Sequence, residues 1–186
     1  EHFEGMEGKK LLGCWAHARR KFFEAKAENE RLALEALLYI RRLYDVEAEA
    51  YALDEADNKP DHERRKALRQ EKAYPEIKKF ETWMEVNILK CPPKSLMEDA
   101  ISYTYKILKK LSLYVTDGRY KIDNNMVENS IRPLAVGRKN YLFCGDDEAA
   151  QRAAVVYSLL ATCKAHGVNE RAWLEDVLRR IPEYEQ

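Results

Sequence analysis

From Ala16 to Val115 the chain keeps a helical texture with only two strong interruptions, Asp57-Asn58-Lys59-Pro60 and Cys91-Pro92-Pro93. Leu32, Ala36, Leu37, Ile40, Leu43 and Tyr44 recur at helical spacing and draw one apolar stripe along a charged helix. The stretch from about Glu24 to Val115 is therefore expected to form a long helical bundle or hairpin. Asp57 or Asn58 can cap the helix after the first interruption, with Pro60 in its first turn. That helix should kink or break near Pro75 before the Cys91-Pro92-Pro93 stop. Ser95 followed by Glu98 has the spacing of a capping box. It should launch a helix through Tyr103, Ile107, Leu111 and Tyr114, ended by the turn at Asp117-Gly118.

The flanks read differently. Leu11 to Trp15 is a short apolar run after Gly-Lys-Lys, the pattern of a strand. Asp123-Asn124-Asn125 has helix-capping chemistry and opens an element carrying Val127, Ile131 and Leu134, which Pro133 should end or kink. Tyr141-Leu142-Phe143 is another short apolar run, closed by Gly145. Asp146 or Asp147 then caps a helix through Leu160 that closes near Gly167. Asn169 caps a last helix, with Trp173, Leu174, Val177 and Leu178, stopped by Pro182. The fold class expected is mostly α, with a small β contribution near the start. The polar opening, EHFEGMEGKK without an initial Met, reads as an excised or processed fragment.

The 186 residues carry equal numbers of acidic and basic side chains, with a pI near 7.1, so no global field points to nucleic acid. The charge is segregated instead. Lys9 to Lys26 is almost purely cationic, Glu28 to Asp61 is mainly acidic, and Arg119 to Asn140 turns basic again. Cys14, Cys91, Cys144 and Cys163 are scattered without a CxxC pair, which argues for reduced thiols. Cys14 and His17 have the spacing of half a zinc site, and no second pair completes it. No apolar run approaches the ~20 residues of a membrane span, and the start has no signal-peptide pattern. A cytoplasmic location is expected.

Two stretches could carry chemistry. In IDNNMVENSIRPLAVGRKNYLFCG, Ile122 to Gly145, Glu128 stands among the cations Arg132, Arg138 and Lys139, with Arg132 four residues on and on the same helical face. A carboxylate beside cations can hold a metal while its neighbours hold phosphates. Asn125 and Glu128 also have capping-box spacing, so Glu128 could simply close its own helix. In GCWAHARRKFF, Gly13 to Phe23, the cations His17, Arg19, Arg20 and Lys21 could face a phosphate backbone. The plainer alternative is a solvated basic face over a core of Trp15, Phe22 and Phe23.

GCWAHARRKFFEA, NNMVENSIRPLAVGRKNYLFCG, and DEAAQRAAVVYSLLATCKAHGVN followed by WLEDVLRRIP together resemble, in order and spacing, the end of an insertion sequence 66 family transposase. The resemblance implies part of an RNase H-like core whose reaction centre has two aspartates and a glutamate. It makes 1–23 the end of the core's strand region and 24–118 a large helical insertion. It makes 119–143 the region of the catalytic helix and 144–186 a C-terminal helical extension. Glu128 matches the terminal carboxylate, catalytic and metal-ligating. The family often places Arg directly after this Glu, where the chain has Asn129. Asp45, Asp54, Asp57, Asp61 and Asp99 all fall in the helical middle, so neither family aspartate has a counterpart here.

The implied activity of the parent protein is metal-dependent DNA strand cleavage and transfer, with magnesium or manganese as cofactor. The implied partners are DNA, at transposon ends and target, and accessory transposition proteins, with no membrane. Such chemistry uses two divalent ions ~3.5–4 Å apart held by oxygen ligands, and one glutamate cannot hold both. This stretch alone is therefore expected to be catalytically silent. The alternative is a non-enzymatic helical module, either a degenerate transposase remnant or a DNA- or protein-interaction domain.

Overall fold

The computed structural model describes residues 10–140 and 144–183, and these form two compact units that divide between Asn124 and Asn125. In the first, α1 (Trp15–Ala25), α2 (Glu30–Ala56), α3 (His62–Leu68), α4 (Tyr74–Ile88) and α5 (Leu96–Ser112) pack around one core. A π-helical turn, Arg69–Ala73, joins α3 to α4, and a 3-10 turn, Leu113–Thr116, extends α5. The core is aromatic at its centre. Tyr39 stacks on Phe80 with centroids 5.2 Å apart, Phe22 lies 5.7 Å from Phe80, and Trp83 tilts against the same ring. Trp15, Phe22 and Phe80 are fully buried, the side chains that bring most apolar area per residue.

Several expectations hold locally. Ser95 accepts from the Glu98 N–H at 3.1 Å and starts α5. The break near Pro75 takes the form of the π-turn just before it. Pro75 stands in the first turn of α4 and has no N–H to donate, so the wider turn absorbs a missing rung.

Others are corrected. Among the described residues there is no strand: Leu11 to Cys14 is irregular and Trp15 already begins α1. The segment's polar groups are used against α5 rather than in a ladder. The Gly13 N–H donates to the Lys110 carbonyl at 2.9 Å, and a Cβ on Gly13 would sit 2.8 Å from Leu111. The helix expected to run unbroken from Ala16 stops at Ala25, and Asn29 starts α2 by accepting from the Leu32 N–H. Asp61, not Asp57 or Asn58, caps α3, which leaves Pro60 outside the helix; Asn58 takes a positive φ of 49° just past the end of α2.

The second unit contains α6 (Asn125–Gly137), α7 (Asp147–Ala165) and α8 (Glu170–Arg180). Asp146 and Asn169 cap α7 and α8 by accepting from the N–H groups of Ala149 and Ala172. Pro133 does not end α6, which continues to Gly137. Proline there removes only the bond that the exposed Asn129 carbonyl would accept, a group water can satisfy. Among the described residues of this unit only Cys163 is buried, while Val127, Ile131, Val155, Leu159 and Leu178 are exposed. The apolar run Tyr141 to Phe143 lies outside the described residues.

Candidate functional site

The chain leaves the first unit along Asp117 to Asn124, and two buried arginines hold that strap. Arg69 lies on the π-turn with no exposed surface. It pairs with Glu47 through two 2.7 Å bonds and donates to the carbonyls of Tyr114, Asp117 and Tyr120 at 2.9–3.0 Å. All its donors are used, which a buried guanidinium requires. Arg65, one turn earlier, pairs with Asp54 and donates to the Gly118 carbonyl at 3.3 Å. Gly118 is itself obligatory, since a Cβ would fall 1.9 Å from the His62 carbonyl oxygen. The strap then returns to α1, where the Trp15 N–H donates to the Ile122 carbonyl at 3.2 Å.

Asp123 follows at once, two residues before α6. Its carboxylate accepts from the Tyr44 hydroxyl of α2 at 2.8 Å. Burial first, and this bond second, push the Tyr44 phenol well above its ordinary range, so it stays a neutral donor. The last residues of the first unit are thus tied by side chains of α2, α3 and the π-turn. None of Tyr44, Glu47, Arg65 and Arg69 stands out in the sequence as a site residue, because their partners are 11 to 79 positions away.

Glu128 lies in the first turn of α6 and is exposed. Counted from Asn125 as first helical residue it is the fourth. Arg132 follows on the same exposed face, and Arg138 and Lys139 are exposed just beyond the helix end. The other expected site residues belong to the first unit. Arg19 and Arg20 are exposed on α1 and His17 is half-buried. Lys21 is committed locally: its ammonium pairs with Asp99 at 2.7 Å and lies 5.0 Å from the Tyr103 ring centre. The hydrogen bond it donates to Asp99 is the main reason its pKa is raised. Phe23, next to this row, is exposed rather than part of the core.

Among the described residues no group of three or more His, Cys, Asp or Glu side chains could hold a metal ion. The described residues therefore offer no ligand set for the implied pair of divalent ions, and Glu128 alone cannot hold both. No helix among the described residues is long and apolar enough to cross a membrane.

Residues 2–152 match the family described as Transposase IS66 family, and residues 158–186 match the IS66 C-terminal element. The uncharacterized protein y4qI of Sinorhizobium fredii (strain NBRC 101917 / NGR234) is 38% identical over 173 residues, a match covering 92% of this chain and 31% of y4qI. The uncharacterized protein y4hP of the same organism is 33% identical over 184 residues, covering 92% of this chain and 32% of y4hP. The chain spans about a third of the length of these curated relatives. No solved structure matches it.

Proposed function

The chain belongs to the IS66 transposase family, and on that footing we propose that it is the C-terminal part of a DNA transposase whose reaction is metal-dependent strand cleavage and transfer. In this reading Glu128 is the one carboxylate this chain gives to the reaction centre, as metal ligand. An RNase H-like core and its two aspartates lie elsewhere in the parent protein, and residues 24–118 are a helical insertion into that core. The observation that carries the reading is the family match across both ends of the chain, joined to the position of Glu128 on an exposed helix directly after the tied strap. The 3.2 Å bond between Trp15 and Ile122 supports the insertion, because a segment that enters and leaves a body at one place can be inserted without displacing its flanks. The thin packing of the second unit also supports it, since a segment with so little core depends on surfaces outside itself.

In this reading His17, Arg19, Arg20 and Lys21 of the first unit and Arg132, Arg138 and Lys139 of the second meet phosphates, supported by the exposure of Arg19, Arg20, Arg132, Arg138 and Lys139. Replacing Glu128 by Ala in the full-length protein should abolish cleavage of transposon-end duplexes. Cleavage at the wild-type rate would leave the chain as a non-enzymatic helical module.

A further inference from the structure

We infer that the solvent-facing crest of α2 is a self-recognition surface, which pairs in antiparallel register with the same crest of a second copy of this chain. The inference does not draw on the transposase reading and stands or falls apart from it.

Helix α2 buries one face, from Leu32 through Ala36, Ile40 and Leu43 to Ala50, in the core of the first unit. Its opposite face carries exposed residues at alternating steps of three and four, from Arg31 to Glu55. The row opens with Arg31, Leu34 and Leu38, has Arg41 and Asp45 at its centre, and closes with Ala48, Ala52 and Glu55. This is the heptad spacing of a coiled-coil seam. Leu34 and Leu38 stand on it one turn apart, 49% and 48% exposed.

The two flanks of the row are occupied by the unit itself. On one flank the Trp83 indole N–H donates to Glu35 at 3.0 Å, Arg42 pairs with Glu76 at 2.9 Å, and Lys72 pairs with Glu49 at 2.6 Å. On the other, Lys26 pairs with Glu30 at 3.1 Å and Lys121 donates to the Tyr51 hydroxyl at 2.8 Å. The crest between them is different. Its central pair, Arg41 and Asp45, is separated by 4.0 Å with both side chains largely exposed.

Read backwards, the row complements itself. In an antiparallel pair about a two-fold axis through its middle, Arg41 faces Asp45 of the second copy, and Asp45 faces that copy's Arg41. The same register sets Leu38 against Ala48, Leu34 against Ala52 and Arg31 against Glu55, each of them twice. Every charge of the row meets its opposite. Every leucine meets an alanine, the alternation of large and small that lets facing side chains interdigitate. A parallel pair would instead set Arg41 on Arg41 and Asp45 on Asp45. This self-complementarity selects a second copy as the occupant, because a two-fold interface requires that each contact be returned. A merely solvated helix face needs neither the register nor opposite charges at matching distances from its centre.

Sedimentation equilibrium of this chain reads the association directly, in reductant because Cys144 is exposed. The wild-type mass should rise with concentration from the 21.8 kDa of one chain toward twice that value. Arg41→Glu and Asp45→Arg should each weaken association by about tenfold or more, because like charges then face each other twice across the axis. An equimolar mixture of the two variants should recover wild-type association. In the mixed pair the acid introduced in one variant faces the arginine introduced in the other, and native Asp45 faces native Arg41. Both positions are exposed, and thermal melts matching wild type confirm that the variants fold. A chain that stays monomeric at every concentration overturns the pairing. So do single variants that associate like wild type, or a mixture that stays as weak as its parts. None of these results bears on the strand-cleavage reading.

Discussion

The Trp15 N–H meets the Ile122 carbonyl at 3.2 Å, so the helical body opens and closes at a single point. The Trp15 side chain strengthens that closure, because its indole is fully buried and donates to the Leu111 carbonyl at 3.1 Å. Trp15→Ala should cost roughly 3–5 kcal/mol of unfolding free energy in a denaturant melt. Trp15→Phe keeps most of the packing and loses the indole bond, and should cost less. Equal losses for the two would show that the hydrogen bond, not the packing, holds the junction.

The same junction depends on Arg69. Removing its guanidinium strands the buried Glu47 and three carbonyls of the strap, so Arg69→Met should cost about 3–5 kcal/mol. Glu47→Gln in the Arg69→Met background should recover part of this, since a neutral amide is cheaper to bury than an unpaired carboxylate. A double-mutant cycle with no coupling would contradict the pairing.

Asp54 gives the fold an acid-sensitive point. The Asp61 backbone N–H, then Arg64 and Arg65, hold its carboxyl below the ordinary range. A depressed pKa contributes stability above the unfolded value, near ~3.9, that disappears as pH falls through the folded one. Asp54→Asn should therefore be less stable than wild type at neutral pH, with the gap closing below about pH 4. Melting temperatures across that range check it, and a gap independent of pH would contradict it.

The helix caps were the most legible part of this molecule. Ser95, Asp146 and Asn169 each act where spacing places them, because a cap depends on residues within one turn. Leu11 to Trp15 misled for the opposite reason. Its apolar run packs, half-buried up to Trp15, against α5, a partner about a hundred residues on, and a strand and a packed irregular segment look alike over five residues. Asn29 escaped notice because Lys26-Ala27-Glu28 are good helix formers, and only packing of α1 against α2 shows that the chain turns there. Of the proposed site residues, Glu128 and the arginines around it are visible through their motif. The ties from Tyr44 and Arg69 to the strap are long-range and leave no local trace.

Glu128→Gln tests the central claim most directly, because it keeps the side chain's shape and removes its charge. In the isolated chain a denaturant melt should match wild type, since Glu128 is exposed and Gln serves equally in a first helical turn. In the full-length protein the substitution should abolish strand cleavage while duplex binding remains, as expected for a carboxylate whose charge is used in the reaction rather than in folding. Cleavage at the wild-type rate by the Gln variant would contradict the assignment of Glu128 to the reaction centre.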